Sequence, residues 1–172
     1  MESLKIGDQV IYPNQGLAVV EDIQEHGLAG IANRVFLLRL ISNNIKIFLP
    51  SATAGEMGIR KLIAVPTIRK LFRFIKSGQV DITPDWKDRY KEHLHLMNTG
   101  TIFDLAFVLK CLFYLNLQKP LSFREKKMME KAKEMIVSEL SVVSALSESD
   151  VERKVLRSLA DCFKGRKPSA EL

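Results

Sequence analysis

Near Pro66 the hydrophobic period of the chain changes from two residues to 3.6, and this switch limits the fold more than any motif does. Before it, runs rich in Val, Ile, Leu and Phe at Asp8 to Tyr12, Leu17 to Ile23, Arg34 to Leu40 and Ile45 to Leu49 read as strands. Pro13-Asn14-Gln15-Gly16, a Gly27/Gly30 region and Ser42-Asn43-Asn44 separate them, and such residues take the positive φ that tight turns need. After it, helix punctuation takes over. Thr83-Pro84-Asp85 offers an N-cap, a Pro at the first helical position and an acid in the first turn. Ser122 to Glu125 and Ser149 to Glu152 have capping-box spacing, and Gly78, Gly100 and Gly165 sit where helices would end. The expected helices lie near 67–77, 84–98, 101–117, 123–145 and 149–163.

Four or five short antiparallel strands in ~50 residues are too few for a sandwich, so a small curled barrel of the SH3 or Tudor type is the expected closure. The fold class is therefore α+β with two domains: an N-terminal small β-barrel with its linker over 1–65, and a compact all-α domain of about five helices over 66–165. Residues 166–172 are expected to form a tail. Whether the stretch that begins Ser51-Ala52-Thr53-Ala54-Gly55 is a short helix or a loop stays open at this level. With 172 residues, 47% hydrophobic and 27% charged, the chain can bury a core. Its longest apolar stretches, such as Ile102 to Phe107, are broken by Asp104 or Lys110 well before the ~18 residues a membrane span needs. The opening Met1-Glu2-Ser3-Leu4-Lys5 lacks a basic segment followed by an apolar run, so a cytoplasmic protein is expected.

No nucleophile elbow, phosphate loop, dinucleotide fingerprint or zinc-protease motif is present, so no catalytic residue is assigned and a non-enzyme is expected. Cys111 and Cys162 lie far apart in apolar stretches, and His93 and His95 point apart on a helix, so no metal or cofactor is expected. Charge is more informative. Residues 1–65 hold six Lys/Arg and six Asp/Glu, whereas the remainder holds 20 and 14, which carries the whole net charge of +6. A polyanionic partner would therefore meet the C-terminal portion.

The most suggestive segment is Thr83 to Lys91, which places the only tryptophan, Trp86, near a helix start among Lys87, Arg89 and Lys91. An aromatic on a basic helix end can stack on a base or wedge into a minor groove while cations meet phosphates. Trp86, Tyr90, Leu94 and Met97 also share one helical stripe, and periodicity alone favours packing that stripe in a core. A second basic group is Arg124, Lys126, Lys127, Lys131 and Lys133, with Met128, Met129, Ala132, Met135, Ile136 and Leu140 on the apolar side.

Leu4-Lys-Ile-Gly-Asp-Gln-Val-Ile-Tyr-Pro-Asn-Gln-Gly16 resembles the opening of the CarD/CdnL family of bacterial transcription regulators. Ile47-Phe-Leu-Pro50, Gly58-Ile-Arg-Lys61, Asp85-Trp-Lys-Asp-Arg-Tyr-Lys91 and Leu121-Ser-Phe-Arg-Glu-Lys-Lys-Met128 follow at that family's spacings, over roughly 4–145. The resemblance implies a Tudor-like barrel, shared with transcription-repair coupling factor, that binds the β1 lobe of the RNA polymerase β subunit. It also implies a helical domain that contacts promoter DNA at the upstream bubble edge, with little sequence specificity, through a Trp wedge. On this chain the wedge would be Trp86, with Lys87, Arg89, Lys91, Lys126 and Lys127 as DNA-facing cations. The polymerase-facing positions would be His26, Leu28, Phe48 and Pro50. Some members carry Arg at the positions of His26 and Phe48, which implies a more apolar or weaker polymerase contact here. The expected state is a monomer at the nucleoid through RNA polymerase, with no membrane contact. A protein-protein adaptor and an RNA-binding accessory protein are the competing classes; an adaptor would not require the Trp86 cluster or the charge asymmetry.

Overall fold

In the computed structural model the described residues are 4–28, 31–78, 80 and 82–164, the side chains of 26–28 and 31–33 excepted. The chain divides into two compact units, residues 1–62 with 98–100, and residues 63–97 with 101–172.

The first unit is an antiparallel five-stranded sheet of β1 (Gln9–Tyr12), β2 (Gly16–Leu28), β3 (Ile31–Leu40), β4 (Lys46–Pro50) and β5 (Arg60–Lys61), with the short helix α1 (Ser51–Ala54) between β4 and β5. Its order is β4-β3-β2-β1-β5. Alternate residues Val10, Ala18, Val20, Phe36, Leu38, Leu40 and Leu49 face one buried cluster with Leu4, Ala54 and Ile59. The sequence places a Tudor-type barrel here, and the sheet has that character. Asn14 at φ 58° and Gly16 at φ 99° turn β1 into β2, and Asn44 at φ 59° turns β3 into β4. Residues 29 and 30, in the expected Gly27/Gly30 turn, lie outside the described residues.

The β2–β3 hairpin is longer than its hydrophobic pattern. Pairing continues past Ile23 through Gln24↔Val35 and Glu25↔Arg34, after a register shift between Val20 and Asp22. Gln24, Glu25 and Arg34 are polar, so alternation could not report that part of the arm. The backbone ladder and the cross-strand ion pair of Arg34 with Glu25, at 3.6 Å, extend the arm instead.

The second unit contains α2 (Val65–Lys76), α3 (Trp86–Thr99) as far as Met97, α4 (Ile102–Gln118), α5 (Phe123–Ser144) and α6 (Glu148–Phe163). α4 is its centre, packed by α2, α5 and α6, and buries Leu105, Val108, Leu109, Leu112 and Leu115. Two buried charges are structural. The Glu139 carboxylate accepts the Ile63 N–H at 3.0 Å and secures the chain's entry to the unit. The Lys110 ammonium donates to the Phe74 carbonyl at 3.1 Å and to the Ser77 hydroxyl at 3.0 Å, where α2 ends with a negative dipole. No helix among the described residues is long and apolar enough to cross a membrane.

Three caps decide the helix boundaries. Ser122 and Glu125 form the expected capping box on α5. The cap of α6 is Ser147 rather than Ser149: its Oγ accepts from the Asp150 N–H at 3.1 Å, so the helix begins one residue earlier than expected. α5 ends on Ala145 at φ 53°, with the Leu146 N–H donating back to the Ser141 carbonyl at 3.2 Å. A Cβ is disfavoured in that left-handed conformation. Ala145→Gly is expected to stabilise the unit by about 1 kcal/mol, read as a raised urea midpoint with an unchanged slope.

Candidate nucleic-acid interface

α3 starts two residues later than Pro84 suggests. Asp85, not Thr83, is the N-cap: its Oδ1 accepts from the N–H groups of Lys87 at 2.8 Å and Asp88 at 3.1 Å. Thr83 instead donates from its hydroxyl to Glu92 Oε2 at 2.7 Å. Trp86 is thereby the first residue of a capped helix, and it is 57% exposed.

The expected core stripe of Trp86, Tyr90, Leu94 and Met97 is not the buried one. The buried line runs through Arg89, His93 and Met97, with Tyr90 half-buried and Leu94 exposed. Two of these three are polar, so hydrophobic periodicity selects a neighbouring face. Arg89 is the correction that matters most to the site. Expected beside Trp86 as a cation for phosphate, it is only 4% exposed. Its Nη2 donates to Glu125 Oε1 at 2.9 Å, and its Nη1 donates to the carbonyls of Thr83 at 2.9 Å and Pro84 at 3.3 Å. Its Nε is buried with no hydrogen-bond partner.

Glu125 in turn accepts at Oε2 from the Ser122 N–H at 3.0 Å and hydroxyl at 2.8 Å. Burial raises the pKa of Glu125, but hydrogen bonds from Arg89 and from the side chain and backbone of Ser122 outweigh that and hold it below its ordinary value. One buried guanidinium thus joins the loop before α3, α3 itself and the capped start of α5. The starts of the two helices are neighbours, which the sequence separation of Arg89 and Glu125 concealed.

The cations then sort into groups. Lys87 and Lys91 are exposed; Lys87 Nζ lies 5.8 Å from the Trp86 ring centroid, and Lys91 pairs loosely with Asp88 at 3.8 Å. With Asp85 and Asp88 beside them, the start of α3 is close to neutral. The start of α5 differs. Arg124, Lys126 and Lys127 are exposed, and among the described residues none pairs with a carboxylate. Further along, Lys133 is bonded to Glu130 at 2.7 Å and to Glu152 at 2.8 Å, and Lys131 is near Glu134 at 3.5 Å. The free positive charge expected around Trp86 therefore sits mainly on α5.

On the first unit, Phe48 is 63% exposed on the edge strand β4, opposite Leu37, and Pro50 lies opposite Val35 on the same outward face. Lys46, also outward, donates to Glu21 at 2.8 Å, and Arg39 binds the other carboxylate oxygen of Glu21. The side chains of His26 and Leu28 lie outside the described residues.

The chain thus joins a near-neutral five-stranded sheet to a basic helical bundle with an exposed aromatic at a capped helix start. Residues 4–63 match the CarD-like/TRCF RID domain, and residues 70–156 match the CarD C-terminal domain. The chain belongs to the CarD family. It is 27% identical over 148 residues to a Bacillus subtilis (strain 168) protein named "Putative transcription factor YdeB", an alignment spanning 86% of this chain and 97% of that one.

His93 stands beneath this site, edge-on to Phe107 with ring centroids 6.4 Å apart. Burial drives its pKa from 6.5 down to about 4; the carboxylates of Glu92 and Glu125 oppose that shift and Arg89 adds to it. The unfolded chain therefore takes up this proton first, and stability present above pH 6.5 is lost as pH falls toward 4, by up to about 3 kcal/mol. Glu125, whose pKa is depressed, adds its own loss only at the acid end of that window. His93→Phe is expected to flatten the slope of urea stability between pH 6.5 and 5. Arg89→Met strands the Glu125 carboxylate and is expected to cost about 2–4 kcal/mol in the same assay. It should also lower the fluorescence anisotropy of Trp86, the only tryptophan.

Proposed function

We propose that this protein is a transcription regulator that binds the RNA polymerase β subunit through its N-terminal unit and stabilises the promoter open complex through its helical unit, by binding and without catalysis. The observation that carries the reading is Trp86: a large apolar ring, exposed at the first position of a capped helix that the Arg89–Glu125 pair ties to α5, inside a CarD C-terminal domain. In this reading residues 1–65 are the polymerase-binding module and residues 66–165 the DNA-contacting module. Trp86 is the wedge at the upstream bubble edge, and Lys87, Lys91, Lys126 and Lys127 face phosphate. Arg89 does not touch DNA; it positions the wedge. Phe48 and Pro50, with His26 and Leu28, face the β1 lobe, and the edge position of β4 leaves one side of that strand open to a partner.

The mechanism requires little intrinsic affinity. Tethering by the first unit raises the local concentration of the second at the bubble, so weak contacts without base reading suffice. A wedge that finds more contact at an opened step than in closed duplex shifts the equilibrium by that difference. A wedge that is free to tumble would lose part of this gain as entropy, which is the use of a rigid helix start.

The test is open-complex lifetime on a promoter with cognate RNA polymerase. The full chain should lengthen it. Trp86→Ala should remove most of that gain while retaining β-subunit binding, and Phe48→Ala should weaken β-subunit binding and shift the half-effective concentration upward. An unchanged lifetime with intact β-subunit binding would make the helical unit an adaptor for another protein.

A further inference from the structure

Phe123 is the most exposed of the large hydrophobic side chains among the described residues, at 72%, and it belongs to neither core cluster. It is the first residue of α5, where the Ser122–Glu125 box needs nothing apolar. Lys127, one turn on, holds its ammonium 4.8 Å from the centroid of the Phe123 ring. Beside the ring an open groove of about 540 Å³ runs along α5, lined by Phe123, Lys126, Lys127, Glu130, Lys131 and Glu134. Its two glutamates face Lys133 and Lys131, at 2.7 and 3.5 Å, so the positive charge left over is that of Lys126 and Lys127. The ion pair that ties α3 to α5 ends on Glu125, two residues from Phe123. The helical unit thus carries two exposed aromatics on adjoining helix starts, each with a lysine over its ring.

We propose that Phe123 is a second aromatic contact to the DNA, stacking on an unpaired base of the melted strand while Lys126 and Lys127 meet the flanking phosphates. This rests on the DNA-contacting reading of the helical unit and adds a residue and a substrate form to it. Charge selects a polyanion for this surface, because its unpaired side chains are cations. The ring selects a base over backbone alone, since an apolar ring gains nothing from phosphate. An unpaired base is selected over duplex because bases inside a duplex already have both faces stacked, whereas those at a fork have one open.

The test compares the full chain's affinity, by fluorescence anisotropy at low salt, for a forked DNA with an unpaired single-stranded arm and for a blunt duplex of the same sequence. The wild-type protein should favour the fork. Phe123→Ala should reduce the fork-to-blunt affinity ratio by about fivefold or more, and Phe123→Tyr should restore it, since the phenol ring stacks as well. A wild-type ratio in Phe123→Ala, together with a reduced ratio in Trp86→Ala, overturns the assignment of Phe123 and leaves the parent reading standing. Wild-type ratios in both variants overturn both assignments, and a wild-type chain that does not favour the fork overturns that of Phe123.

Discussion

The ion pair of Arg89 with Glu125 is the contact on which the geometry of the site depends. α3 contributes little to the close helix pairing that joins α2, α4, α5 and α6; it is held chiefly by side chains, with Met97 in the core and His93 against Phe107. Near its first turn the guanidinium attaches it to α5, beside Tyr90 packed against the core. Burying that charge costs desolvation, and a single carboxylate partner rarely returns all of it. Here the carbonyls of Thr83 and Pro84 accept from the same group, and Glu125 is itself held by Ser122, so most of the polar atoms involved are satisfied. The unpartnered Nε of Arg89 is the remaining cost. What results is positional: a loop, a helix start and a neighbouring helix start share one rigid node.

Electrostatics separate the two helix starts that this node joins. Asp85 and Asp88 stabilise the α3 terminus by capping and by the helix dipole, and they offset the two exposed lysines that follow. Among the described residues nothing comparable offsets Arg124, Lys126 and Lys127, because the one acid in the first turn of α5, Glu125, faces inward to Arg89. The inward carboxylate frees the outward cations. A surface built this way carries its free positive charge on α5 and presents apolar rings from both helices.

Much of the architecture was legible because it depends on local physics. The switch of hydrophobic period separates sheet from bundle, and the turns at Asn14, Gly16 and Asn44 are set by residues that tolerate positive φ. The α5 capping box needs only two residues three apart. Features carried by polar side chains were not legible. The outer hairpin arm, the two-residue β5 and the buried line Arg89–His93–Met97 carry no hydrophobic pattern to read. Ser149 and Ser147 both have an acid three residues on, and local spacing cannot choose between them. Phe123 lay within a recognised motif, yet its exposure is a property of what fails to pack on it.

By itself the sequence determined two modules, a near-neutral one and a basic one, with a single tryptophan at a helix start and the family's motifs in order, because composition, period and capping act over a few residues. Only the tertiary structure decided which cations are available. Arg89 and Lys126 read alike as basic residues near an aromatic, but one is buried against a glutamate 36 positions away and the other is open to solvent. The carbonyls and the half-buried carboxylate that meet Arg89 hold its guanidinium in the interior, and that balance appears only when distant residues meet.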